Sequence, residues 1–198
     1  MLTDEQRVVV DSHLRSHYPT FWRFTQLFFH SGGRIRELLS LQAKDINLKQ
    51  QEYVTLVKKG KYHRWVKRPI KDIVVSLWQE LLEGAHPDYY VFSENLEPGS
   101  KKIRDEQITR RWNTHVKRKL GIHSDFYKLK HLNTTEVVDA LSEEEAAKLN
   151  AHTSTAMVIG IYDVKNKDRK FSRIKQLQNS FAPNVMQTTL YTKNQSSN

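Results

Sequence analysis

Ser31-Gly32-Gly33-Arg34-Ile35-Arg36-Glu37-Leu38-Leu39 is the stretch on which the reading of this 198-residue chain turns. Two adjacent glycines break one helix, and the spacing predicts a second from about Arg34, with Arg34 on its first turn. Glu37 follows three residues later on the same face, while Ile35, Leu38 and Leu39 point largely elsewhere. An arginine that leans inward and is held by a nearby carboxylate is a device for gripping a phosphodiester, because a guanidinium meets phosphoryl oxygens two at a time.

Outward from this stretch the chain reads as mostly helix with one small antiparallel sheet. Thr3-Asp4-Glu5-Gln6 is a capping box opening a helix to about Tyr18. Pro19 suits the first turn of a second helix, with Phe21, Trp22, Phe24, Leu27 and Phe28 as core positions. Asp45 to Leu48 reads as a turn. Tyr53 to Val57 is β-branched and aromatic, a strand, and His63 to Ile70 is its hairpin partner across a basic turn from Lys58 to Tyr62. Asp72 to Leu82 has helical spacing, Tyr89 to Phe92 reads as a short strand, and Asp105 to Leu120 is a helix ended by Gly121. Lys128–Ala140, Ser142–Asn150 and Thr155–Val164 complete the helices.

Composition narrows the partners. The formal net charge is +10 and the sequence pI about 9.7, which favours a polyanion such as nucleic acid over a merely soluble basic protein. Without cysteine, disulfides and thiolate metal sites are impossible, and a reducing compartment fits. No run approaches the roughly 20 apolar residues of a membrane span, and Met1 to Glu5 does not read as a signal peptide. Nine histidines form neither an H-E-x-x-H nor an H-x-H pair, so a metal site is not expected.

The opening stretch resembles the first active-site motif of the tyrosine recombinases (phage integrases), commonly T-G-x-R-x-x-E-L. The remaining motifs of that family are sought downstream. In the family the turn between the second and third strands carries a catalytic lysine, often in G-K-G-x-K-x-R. Here the turn is Lys58-Lys59-Gly60-Lys61-Tyr62-His63-Arg64, and Lys59 takes that position, with Lys58 and Lys61 close by. The plainer reading is a solvated basic turn; the functional one sends Lys58, Lys61 and Arg64 to DNA phosphates. Tyr127-Lys128-Leu129-Lys130-His131 is similar to H-x-L-R-H, with Lys130 in place of the arginine and Tyr127 in place of the histidine. Lysine keeps the charge and loses the two-pronged grip. Leu149-Asn150-Ala151-His152-Thr153-Ser154 is similar to L-G-H-x-S, with Ala151 for glycine. Tyr162, ten residues past His152, is the candidate nucleophile, against the plainer reading of a core aromatic and against the rival Tyr191 in Thr188-Thr189-Leu190-Tyr191-Thr192-Lys193.

The resemblance implies a mainly α catalytic domain with a small antiparallel sheet over 1–164, followed by a basic helix and tail over 165–198. That tail either packs on its own domain or exchanges between protomers. It implies metal- and cofactor-free cleavage and rejoining of DNA: Tyr162 attacks, Arg34, Lys130 and His152 neutralise the phosphate, Lys59 is the acid, and Glu37 supports Arg34 and His131. Double-stranded DNA would be the partner, with a tetramer on DNA and a monomer without it. Location would be cytoplasmic, at a bacterial or phage nucleoid. A separate helical clamp domain would precede this chain. A catalytically impaired DNA-binding module of the same fold, or a relaxing topoisomerase, would be the alternatives.

Overall fold

The computed structural model of the chain describes residues 1–150 and 171–182. Helix α1 (Asp4–His17) opens on the reciprocal cap: the Thr3 hydroxyl accepts from the Gln6 N–H, and the Gln6 carboxamide oxygen accepts from the Thr3 N–H. Pro19 begins α2 (Pro19–Ser31), where its missing N–H has no helical partner to lose. Phe21, Phe24, Leu27, Phe28 and Phe29 are all buried, so α2 is the central helix. Phe21, Phe24 and Phe28 stack on Phe126, and Phe24 meets Phe92 edge-on at 4.9 Å. Trp22 is not a core residue but sits at the rim. Its indole N–H donates to Asp11 at 2.8 Å and the Arg15 guanidinium lies 4.9 Å over its ring, so the polar edge of the indole stays at the surface.

The expected helix after the glycines is short, α3 (Ile35–Leu38), and Arg34 is its extended N-cap (φ −92, ψ 154) rather than a first-turn residue. The cause is Glu37, whose carboxylate accepts from the Arg34 N–H at 3.0 Å and closes the helix start around it. The sheet is antiparallel in the order β1 (Ile46–Asn47), β2 (Glu52–Lys59), β3 (Tyr62–Pro69). The turn expected at Asp45 to Leu48 thus contains a two-residue strand, because Ile46 and Asn47 pair with Tyr53 and Glu52. The β2–β3 turn contracts to Gly60-Lys61, with Gly60 at φ +59. Lys59 then faces Tyr62 in register, and the ladder runs to Tyr53 opposite Arg68.

A 3-10 turn (Asp72–Val74) leads into α4 (Val75–Leu82). The strand expected at Tyr89–Phe92 does not form. Tyr90 makes only single bridges to Gln42 and Gly99, while Val91 and Phe92 turn into the core. Apolar burial outweighs β-propensity in so short a run. Helix α5 (Asp105–Trp112) widens into a π-helix (Asn113–Arg118), and α6 (Lys128–Ala140) and α7 (Glu143–Leu149) follow. The helix expected at 155–164 lies outside the described residues. Within 171–182, Ile174 packs with Val137, Ala146 and Leu149, and the Phe181 ring meets Phe29 at 5.7 Å. Arg7 fixes this segment, donating to the carbonyls of Ser180 (2.6 Å) and Phe181. Among the described residues no helix is long and apolar enough to cross a membrane.

Candidate active site

Two glycines set the geometry of the site. Gly32, at φ +62, lies so close to Leu149 that a Cβ there would come 2.6 Å from Leu149 Cγ and 2.8 Å from its carbonyl oxygen. The turn that presents Arg34 is therefore pressed against the end of α7. A Cβ on Gly33 would meet the Leu38 Cδ1 methyl at 2.8 Å, so a larger residue there would make that side chain shift. Arg34 emerges half-exposed, with its side chain 40% accessible, and its Nη1 donates to Glu37 Oε1 at 3.1 Å. The expected pairing of Arg34 and Glu37 is present.

Glu37 is buried, and its second cation is Arg68 on β3, whose Nη2 donates to Oε2 at 2.8 Å. The other arm of Arg68 donates to the Leu149 carbonyl. Lys130, on the first turn of α6 and 5% exposed, borders the same group. Burial, then the positive charge of Arg68, pushes its ammonium down to about 8; Glu37 opposes the shift and Arg34 adds to it. Arg34, Glu37 and Lys130, predicted far apart in sequence, thus share one electrostatic neighbourhood. Among the described residues, three cations there face one carboxylate.

The neighbours of Lys130 in the chain turn outward. Tyr127 is exposed and His131 is exposed, and the two rings meet edge-on at 5.2 Å. On the hairpin, Lys58 and Lys61 are exposed. Arg64 is half-buried and pairs with Val57, whereas Lys58 pairs with His63, so Lys58 and Arg64 lie on opposite faces. Lys59 ends β2 opposite Tyr62. His152, Tyr162 and Tyr191 lie outside the described residues. A groove of about 690 Å³ opens beside Arg34 and Glu37, between α3 and the outer face of β2 and β3. Lys58, Arg36, Lys44 and Lys102 line it, together with Trp65, 68% exposed. Among the described residues no three His, Asp or Glu side chains gather as metal ligands.

Residues 12–169 match the phage integrase family. The chain belongs to that family. No curated protein matches it in sequence. Its fold resembles that of XerA recombinase, with 16% identity and a TM-score of 0.61 over 100% of this chain and 65% of that one. It also resembles an integrase from mycobacterium phage Brujita (17% identity, TM-score 0.64, 87% of this chain and 56% of that one). A third likeness is to a lambda integrase dimer bound to a COC′ core site (15% identity, TM-score 0.60, 83% of this chain and 61% of that one). The chain thus spans between about half and two thirds of the length of these structures.

Within this integrase-family domain the residue that sequence reasoning passed over is Arg68. It stood in a run of six cations from Lys58 to Arg68 and read as one more solvated charge. The available signal was register. Once Gly60-Lys61 is the turn, Arg68 falls opposite Tyr53, and with Val66 it shares the face that Tyr53, Thr55 and Val57 turn to the core.

Proposed function

We propose that this domain breaks and rejoins DNA strands as a site-specific recombinase. The observation that carries the reading is the Arg34–Glu37 pair at the edge of a basic groove, with the buried Lys130 within electrostatic range of both. A surplus of fixed positive charge in a partly dry site suits a pentacovalent phosphate, whose negative charge grows in the transition state. Arg34, half-exposed and held by Glu37, can reach a phosphoryl oxygen; Lys130 adds charge from behind. Its ammonium, lowered to about 8, remains mostly protonated at neutral pH.

In the reaction the Tyr162 oxygen bonds to phosphorus as the bond to the 5′ oxygen breaks. Lys59 gives its proton to that departing oxygen, the phenol's proton passes to water, and His152 donates a hydrogen bond to the phosphate. The 3′-phosphotyrosyl link conserves the bond energy, so a 5′ hydroxyl from another strand reverses the step. No cofactor enters. The substrate is double-stranded DNA in the cytoplasm, bound by a tetramer, while residues 171–182 pack on their own domain. The XerA recombinase and phage integrase likenesses support this reading at the level of fold.

A pool of nicked duplexes of randomised sequence tests it. Cleavage beside a nick in the same strand releases a short 5′-hydroxyl fragment and traps a protein–DNA adduct on a denaturing gel. The wild-type chain yields the adduct and Tyr162→Phe does not. An adduct that persists in Tyr162→Phe moves the nucleophile elsewhere, with Tyr191→Phe the next variant. No adduct from the wild-type chain overturns the reading.

A further inference from the structure

Arg68 is the most completely buried charge near the site, 1% exposed, and the family motifs give it no part. Burying a guanidinium carries a large desolvation cost, and an apolar side chain of similar volume would fill the same space without it. Nor is Arg68 fully satisfied, since its Nε has no hydrogen-bond partner. Stability alone does not account for an arginine here. Its two bonded arms do: one reaches Glu37, which holds Arg34, and the other reaches the Leu149 carbonyl, which Gly32 also touches.

We propose that Arg68 is a positioning residue for strand cleavage, tying Glu37 and thereby Arg34 to the backbone at Leu149, three residues ahead of His152. The proposal rests on the recombinase reading. Arg34 caps a four-residue helix from outside it and is half-exposed, which leaves it free to swing unless its carboxylate partner is fixed. Glu37 is fixed because Oε1 holds Arg34 while Oε2 is divided between the Arg34 N–H and Arg68. The end of α7 is fixed from three directions: Gly32 against Leu149, Arg68 on the Leu149 carbonyl, and Asn150 Nδ2 donating to Thr134 at 3.0 Å. One side chain therefore sets the distance between the element that presents Arg34 and the end of α7. Planar, two-armed geometry is what this needs, and a lysine cannot supply it. Arg68 also sits beside Lys130, so its charge bears on when that ammonium loses its proton, together with Glu37 and Arg34 on α3.

The test uses the full chain with the nicked duplexes trapped by the wild type, over pH 6 to 10. Arg68→Lys keeps the charge but offers one ammonium to two acceptors; adduct formation is expected to slow by about 10- to 100-fold, as for misplaced catalytic groups and their supporting partners. Arg68→Met removes the charge as well. Its rate falls at least as far, and the alkaline decline of the rate moves to higher pH, because Lys130 loses a like-charged neighbour and holds its proton longer. A merely structural arginine would lower the amount of folded protein, followed by thermal unfolding, without moving that limb. Wild-type cleavage by Arg68→Lys overturns the positioning role and leaves the recombinase reading intact, as does an unmoved alkaline limb in a folded Arg68→Met. Failure of the wild type to form any adduct overturns the recombinase reading, and this role with it.

Discussion

Two buried lysines divide the molecule. Lys71, wholly buried at the end of the hairpin, gives its ammonium to the side-chain oxygens of Asn133 and Asn179 at 2.9 Å each, beneath the 179–182 segment. Lys130, almost as buried, feels the charges of two arginines and the carboxylate they share. Burial lowers both ammonium groups, to about 7 and about 8. The charge around them differs. Near Lys71, Arg7 pairs with Glu136 at 2.8 Å and Asp4 at 3.3 Å, so two cations meet two carboxylates. Around Lys130, three cations meet one carboxylate, Glu37, among the described residues. A cluster that balances its own charge holds a fold together; one that leaves charge over has room for an anion the protein does not supply.

Removing one arginine from each cluster separates the two roles. Arg34→Ala should slow adduct formation by about 100- to 1,000-fold, the loss typical of a preorganised donor to a developing oxyanion. Its unfolding midpoint should move little, because the side chain is half-exposed. Arg7→Met should do the opposite. It removes the bonds to the Ser180 and Phe181 carbonyls and the pair with Glu136, and urea unfolding should report a loss of about 2–3 kcal/mol. Cleavage per folded molecule should stay near the wild-type rate. Equal loss of cleavage from both variants would erase the distinction between the clusters.

The same contrast explains what the sequence could disclose. Thr3 with Gln6, Pro19, and Arg34 with Glu37 are relations within one helical turn, and each was legible because its geometry is local. The hairpin was legible from its β-branched run and basic turn. Arg68 was not, because its direction depends on a register that a one-residue slip would reverse. Arg7 with Phe181, and Lys71 with Asn179, join chain ends more than a hundred residues apart, and no local pattern announces them. Tyr90 misled in the opposite sense: the strand propensity is real, but Val91 and Phe92 bury their side chains instead of extending a ladder.

The smallest effect is the most diagnostic of the balanced cluster. In the unfolded chain Lys71 keeps its proton to its ordinary value of 10.5, whereas the fold releases it near 7. Between those values the unfolded state binds more protons, so stability rises with pH through the window, by up to about 1.4 kcal/mol per unit for one proton. Below about pH 7 both states are protonated and the full cost of the buried charge remains. Lys130 contributes in the same direction from about 8 upward. Lys71→Met removes one of the two ionisations, and urea unfolding from pH 7 to 10 should then show a flatter rise. Tyr53 supplies an upper limit: burial raises its phenol to about 12, so above pH 10 the unfolded chain ionises first and stability falls again in wild type and variant alike. A slope unchanged by Lys71→Met would mean that Lys71 stays charged in the fold, with Asn133, Asn179 and Glu136 solvating it as well as water does.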